Sequence, residues 1–413
     1  MKPALAVAAL AAAAYVPSLF GVFQFDDYNV IVHYPTVHSW EALFERAGGG
    51  VRPLLKASYT LNWTLGFGFS LFNIAVHALN AALLFLVGEA LFRERRAALI
   101  AALLFALHPA ATEAVTYISG RSSSLMAVFY LGAMLVYLHG RRWLSVLLFF
   151  AAVATRETAV TLPAALLLCE VCRGTGWREI VRRQWPHWVL LLAGAVFLLL
   201  NQRYFDLVAY GFGERSLGDN LLTQVGGVSY LVLRLVSLHG YNIDPALPTL
   251  TEWTPTLVFQ AVLLLALFIL GLANLRSRPW IAFGVLWFFL QLSPTNSIVP
   301  RLDVANDRQL YLASWGLFLA LAVQLNEHWK YAVPILAAFL VASVVRQLDY
   351  RSEVALWESD AALAPWNARA HNNLGYAYQL AGRPQDAKRE YHAALLFDPR
   401  HQKARLNLMF LQE

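Results

Sequence analysis

The chain has 413 residues, of which 58% are hydrophobic and only 14% charged, with a net charge of +6. Soluble domains carry about 25% charged and about 45–50% apolar residues, so this composition excludes disorder, a coiled coil and an ordinary soluble enzyme. What remains is an all-α polytopic membrane protein, whose basic excess must be located before it can be read as a nucleic-acid footprint.

In chain order, residues 3–23 form an apolar run behind Lys2. The run is longer than the ~7–15 apolar residues of a signal peptide, so it is read as a retained first span with its N-terminus inside. Further runs of spanning character lie at 71–92, 97–115, 122–139, 143–156, 158–172, 187–204, 256–274, 280–293, 309–325 and 331–347. Short basic clusters separate them: Arg93, Arg95 and Arg96; Arg141 and Arg142; Arg173, Arg178, Arg182 and Arg183; Arg276 and Arg278; Lys330. With the N-terminus inside, all of these fall on the cytoplasmic side, as the positive-inside rule expects. Segment 221–240 is only moderately apolar and contains Gly226, Gly227 and Arg234. It is predicted to lie at the outer interface or to re-enter, giving about eleven spans and an outside C-terminus. The basic excess then serves orientation, and nucleic acid is not an expected partner.

After residue 348 the apolar runs stop. Residues 368–401 match a tetratricopeptide repeat at Leu374, Gly375, Tyr378, Ala387, Tyr391, Ala394 and Pro399. Trp357 and Pro365 extend the same period backwards, and Leu408 extends it forwards. The sequence therefore predicts a membrane domain over 1–348 and a repeat domain over 349–413. A free-standing solenoid needs roughly three repeats, so this one has to lean on the membrane domain or on a protein partner.

Several polar groups fall at span ends on the outer face. Asp26 and Asp27 follow the first span, and adjacent carboxylates at a membrane interface are costly unless solvated, paired or functional. One of them can act as general base toward a hydroxyl. His108, Glu113 and Arg121 cluster around the end of the third span. Arg52, Arg156, Glu157, Asp307 and Arg308 lie far apart in sequence yet map to the same side. Arginines there suit a lipid-linked phosphate, although snorkelling or ion pairing is commoner for any single one. Other signals are weak. Cys169 and Cys172 form a CxxC with no second pair to complete a zinc site, and Gly211-Phe212-Gly213 lacks the context of a dinucleotide loop. Asn62-Trp63-Thr64 fits a glycosylation acceptor only by pattern.

The order of these motifs resembles a known family. An acidic pair is followed by RPLLKASYTLNWTLG, FNIAVHALNAALLF, ALLFALHPAATEAVTYISGRSSSLMAVFYL, RETAVTLP, DRQLYLASWG and a repeat tail. It resembles the transmembrane-and-tetratricopeptide-repeat protein O-mannosyltransferases and their bacterial relatives, of the GT-C glycosyltransferase fold. The chain departs from that pattern at Gly68-Phe69-Ser70, where relatives show Gly-x-His, and at Asp307-Arg308-Gln309, where they show Glu-Arg-Tyr. Its tail is also short.

The resemblance implies transfer of a sugar, mannose by expectation, from a polyprenyl-phosphate carrier to a hydroxyl, with protein Ser/Thr as the expected acceptor. It assigns the base to Asp27 or Asp26, with Asp27 preferred, and the donor phosphate to Arg121 and Arg308, to which Arg52 is added. His108, Glu113, Arg156, Glu157 and Asp307 are supporting groups. A divalent cation, Mg²⁺ or Mn²⁺, is compatible with carboxylates and phosphate, but no ligand set singles one out. The expected location is a bacterial inner membrane, with active site and repeats on the periplasmic side. Two alternatives stay open: transfer of another sugar or glycan to a lipid, polysaccharide or pilin, and a non-catalytic scaffold that recruits partners through its repeats.

Overall fold

A chain in lipid must satisfy its backbone N–H and C=O groups internally, and a helix does so within one segment. The computed structural model describes residues 2–46, 51–66, 68–200, 202, 206, 209, 211–213 and 215–411; among them every regular element is a helix, with no strand. The first half contains α1 (Lys2–Ala14), α2 (Trp40–Glu45), α3 (Pro53–Leu65), α4 (Phe69–Phe92), α5 (Arg95–Leu107), α6 (Thr112–Val115), α7 (Arg121–Leu138), α8 (Arg142–Thr155), α9 (Leu162–Cys172) and α10 (Trp177–Leu200). The second half contains α11 (Leu217–Val236), α12 (Pro255–Ala273), α13 (Pro279–Leu292), α14 (Leu310–Leu325), α15 (Ala332–Asp349), α16 (Glu353–Leu363), α17 (Ala368–Leu380), α18 (Pro384–Phe397) and α19 (Gln402–Phe410).

Among the described residues, four helical segments are long and apolar enough to cross a membrane: Phe69–Phe92, Ile118–Leu138, Pro255–Ala273 and Trp329–Asp349. A fifth combines α5 with Pro109–Val115, and α1, α8 and α13 are shorter apolar helices. The protein is an integral membrane protein. Part of the expected span 187–204 (residues 201, 203 and 204) lies outside the described residues. Segment 221–240 falls largely in α11, which is not among the four.

The expected span 97–115 is not straight. It bends by 58° between Leu107 and Pro109, because proline cannot donate a helix hydrogen bond and its ring clashes with the preceding turn. A break at this depth frees carbonyls that need new donors. α4 supplies them from one face, where Asn73, His77 and Asn80 are all buried. Asn73 Nδ2 donates to the Val115 carbonyl at 3.0 Å, and Asn80 Nδ2 to that of Ser124 at 2.7 Å. His77 Nε2 lies 3.1 Å from the Ala106 carbonyl, which can only accept, so this nitrogen carries the proton. Nδ1 is then the acceptor for the Tyr311 hydroxyl at 2.8 Å. From α15, Ser343 Oγ donates to the Leu107 carbonyl at 2.9 Å.

α13 and α14 meet backbone to backbone. A Cβ on Gly284 would lie 2.4 Å from the Gly316 carbonyl oxygen, and one on Gly316 would lie 2.6 Å from that of Gly284. Small residues at helix crossings in lipid permit this approach and the dispersion contacts that come with it. Trp287 then reaches across to donate from Nε1 to the Leu312 carbonyl at 2.8 Å. Gly316→Ala is expected to cost about 1–3 kcal/mol by overpacking. The check is the fall in thermal midpoint of purified protein in detergent; an unchanged midpoint would mean the crossing can open freely.

The C-terminal helices share a core with the preceding part of the chain. Leu356, Trp357, Leu374, Ala387 and Tyr391 cluster with Tyr117, Ile243 and Tyr350. Phe25 packs edge-on against Trp357 with ring centroids 5.3 Å apart. Gly375 is required inside this layer, since a Cβ there would lie 2.6 Å from the Tyr391 ring.

Candidate active site

Three short turns bring the polar groups together. The chain after α1 turns at 24–27, the stretch between α5 and α7 folds back as α6 and a 3-10 turn at Ile118–Gly120, and Asp307–Gln309 form a 3-10 turn leading into α14. Gly120 allows the second of these, because a Cβ at that position would fall 2.0 Å from the Glu113 carbonyl oxygen.

Arg308 is the hub. Its backbone N–H donates to Glu113 Oε2 at 2.9 Å, and its Nε lies 3.5 Å from Glu113 Oε1 and 3.2 Å from Asn306 Oδ1. Its terminal Nη atoms make no hydrogen bond among the described residues, and the side chain lines a cleft with Arg156, Ser123, Thr158, Gln291 and Thr295. Arg156 is buried, and its Nη1 donates to Ser122 Oγ at 3.3 Å and to Ser123 Oγ. Arg52 and Glu157 form a two-pronged ion pair, Nε to Oε2 at 2.9 Å and Nη2 to Oε1 at 2.5 Å. Two cations therefore face one cleft, each steadied by neighbouring polar groups.

The other predicted arginine is placed differently. Arg121 is fully buried, with Nε on Asn73 Oδ1 at 2.6 Å, Nη1 on the Ser58 carbonyl at 3.0 Å and Nη2 on the Phe69 carbonyl at 3.1 Å. The rings of Tyr59 and Phe72 lie against its guanidinium, 4.9 and 4.4 Å from centroid to Cζ. It does not line the cleft with Arg308. His108 likewise works within the fold, accepting the Ala110 N–H at Nδ1 and approaching the Leu235 carbonyl with Nε2, both at 3.1 Å.

The two adjacent aspartates also part company. Asp27 is 0% exposed. Its Oδ2 accepts the Gln24 N–H at 2.9 Å, and its Oδ1 accepts the Ser119 N–H at 2.7 Å together with the Ser119 hydroxyl. Burial pushes its carboxyl up to about 7 despite those donors. Asp26 is only partly buried, and the Tyr117 hydroxyl accepts its backbone N–H at 2.9 Å. Its carboxyl is raised by burial, while Arg308 beside it pulls the other way. Of the two adjacent aspartates, Asp26 is the accessible one, and the Arg308 charge acts on it.

Asp307 points away from the cleft, with Oδ2 accepting the Asn242 N–H at 3.2 Å. Burial, then the Glu113 charge, lifts its carboxyl from 3.8 to about 7. A carboxyl raised on folding binds its proton more tightly in the folded state, so stability falls as pH rises from about 4 to about 7 and levels off above that. Asp307→Asn removes this term. The stability gap between variant and wild type is expected to widen across that window in thermal unfolding; a gap independent of pH would show that Asp307 is ionised throughout.

Among the described residues, no three His, Cys, Asp or Glu side chains are grouped so as to hold a metal ion. Glu113 is spent on Arg308 and Asp27 on backbone N–H groups, so these carboxylates do not form a cradle for Mg²⁺ or Mn²⁺.

A family described as Mannosyltransferase (PIG-V) matches residues 49–200, a stretch containing Arg52, Glu113, Arg121, Ser123 and Arg156. Likenesses over most of this chain go further. A Caenorhabditis elegans protein named Protein O-mannosyl-transferase F38B6.6 is 24% identical over 94% of this chain and 62% of its own length. The mouse Protein O-mannosyl-transferase TMTC3 is 26% identical over 92% of this chain and 49% of its own, and the human TMTC4 protein 25% over 94% and 65%. The chain is similar to protein O-mannosyl-transferases over most of its length. It spans less than two thirds of the length of these relatives.

Within this mannosyltransferase-like chain, sequence reasoning missed the partners rather than the charges. Ser122 and Ser123 under Arg156, and Ser58 and Asn73 around Arg121, had a usable signal: hydroxyls and an amide in otherwise apolar helices. Gln291, alone in the apolar run of α13, was another, since a polar residue at membrane depth is costly unless it is used. Asp303 and Arg369 carried no such signal, because each reads as an ordinary loop or helix charge.

Proposed function

We propose that the chain transfers mannose from a polyprenyl-phosphate carrier to a hydroxyl, with protein Ser/Thr as the acceptor, on the outer face of a bacterial inner membrane. The observation that carries this is the cleft holding Arg308 and Arg156, with the part-exposed Asp26 in the field of Arg308. Inverting transfer needs these parts. A base withdraws the acceptor proton as the hydroxyl oxygen bonds to the anomeric carbon. The bond from that carbon to the phosphate oxygen breaks, and its electron pair leaves with the phosphate. Fixed cations stabilise that developing charge best in a site with little water.

Asp26 takes the role of base in preference to Asp27, whose two oxygens already accept three hydrogen bonds. Arg308 and Arg156 take the phosphate; Arg121, with its donors committed to protein acceptors, holds α3 and α4 to α7. Arg52 and Glu157 stand as a paired group beside Arg156. The isoprenoid tail lies along apolar helix surface. The eleven-span topology, with α11 at the outer interface, and a tetratricopeptide-repeat character of α16–α19 belong to the same proposal.

The test is transfer of labelled mannose from polyprenyl-phosphate mannose to a Ser/Thr peptide by the purified chain in lipid. Glucose and galactose donors run in parallel resolve the sugar. Wild-type protein inactive with every phosphate-linked donor would sink the proposal and favour the scaffold alternative.

A further inference from the structure

A second cavity, of about 320 Å³, lies where the chain between α11 and α12, the loop before α14 and the start of α17 meet. It is not the cleft of Arg308 and Arg156. Its charged wall is Arg369, which donates to both oxygens of Asp244 at 2.5 Å and to Asp303 Oδ1 at 2.8 Å. Asp303 remains 43% exposed. Its opposite wall is the irregular stretch around Pro245, Ala246 and Leu247, with Leu302 projecting from the facing loop.

Two features suggest an extended polypeptide in this cavity. The backbone N–H groups of Ala246, Leu247, Leu302 and Asp303 make no hydrogen bond among the described residues, and open main-chain donors are what the carbonyls of a bound peptide pair with. Ala246 is also held at φ 45°, a left-handed conformation that costs a non-glycine residue free energy and tends to persist at ligand sites. Position adds a third. Asp303 and Arg369 both act electrostatically on Asp26, as Arg308 does from the other cavity. Asp26 is tied to this cavity through Tyr117, whose hydroxyl accepts its backbone N–H and whose side chain shares a core with Ile243 of the cavity lining.

We infer that the cavity between Leu302, Asp303 and Arg369 is the acceptor subsite and takes an extended peptide that delivers its hydroxyl to Asp26. This rests on the transferase function proposed above. A lipid acceptor would instead need an apolar groove, whereas this wall is an Asp–Arg–Asp ion-pair network with open backbone. Leu302 is 69% exposed, so replacing it disturbs no core.

The experiment uses the full chain in lipid nanodiscs and a fluorescent, unstructured Ser/Thr peptide, read by anisotropy without donor. Leu302→Trp fills the cavity and is expected to weaken binding by at least about tenfold, a loss of about 1.4 kcal/mol. The thermal midpoint of Leu302→Trp is expected to match wild type, since Leu302 is exposed, so a loss of binding reports on the cavity and not on folding. Equal affinity of wild type and Leu302→Trp would overturn the inference, as would binding of a neutral oligosaccharide but no peptide. Donor turnover is measured separately. Its absence with the peptide result intact would strike the transferase proposal alone.

Discussion

Replacing Arg308 with Gln is expected to lower mannosyl transfer by about 10²–10³-fold in kcat, the usual effect of removing one fixed donor from a developing oxyanion. Arg308 lines the cleft, and its Nη atoms make no hydrogen bond among the described residues, so their positive charge can meet the departing phosphate that the proposal requires. Lys at this position should recover only part of the rate, because an ammonium cannot grip a phosphate with two parallel hydrogen bonds. The single variant has a side effect that must be separated. Glu113 is 4% exposed and loses its cation, and an orphaned buried charge costs about 3–5 kcal/mol. The paired variant Arg308→Gln, Glu113→Gln removes that penalty. It should regain thermal stability without regaining transfer. Transfer within threefold of wild type in both variants would remove Arg308 from the phosphate site.

The second large effect separates the adjacent carboxylates. Asp26→Asn is expected to reduce transfer by about 10²–10⁴-fold, the contribution of a positioned general base, with the fold intact. The backbone N–H of residue 26 still reaches Tyr117 in that variant, and its side chain stays part-exposed. Asp27→Asn should do the opposite. It offers one carbonyl oxygen where two carboxylate oxygens now serve Gln24 and Ser119. A buried N–H left without an acceptor costs about 1–3 kcal/mol, so thermal stability drops while folded protein continues to turn over. The wild-type rate should also fall as pH drops through the Asp26 titration, which burial places above the usual carboxylate value. Activity lost in Asp27→Asn and kept in Asp26→Asn would return the base to Asp27.

Much of the fold was legible because its driving force is one-dimensional. A run of apolar residues long enough for the bilayer forms a helix whatever its neighbours do, as in Phe69–Phe92 and Pro255–Ala273. The bend at His108–Pro109 could have been read from proline alone. The site was legible only as charge. Residues 26, 27, 52, 113, 121, 156, 157, 307 and 308 stood out because ionisable groups at span ends are costly.

By itself the sequence determined that the protein is helical and membrane-embedded, and which charges its segments have to place. Composition and local periodicity act within a segment, so they survive without knowledge of the fold. Only the tertiary structure decided which charges are spent and which are available. Arg121 and Arg308 read alike along the chain, yet one is enclosed by Asn73, Ser58 and aromatic rings while the other lines a cleft. Asp26 and Asp27 are neighbours, yet one 3-10 turn away Ser119 claims the second and leaves the first open. Solvation and hydrogen-bond saturation depend on atoms brought in from distant parts of the chain, and no local pattern encodes them.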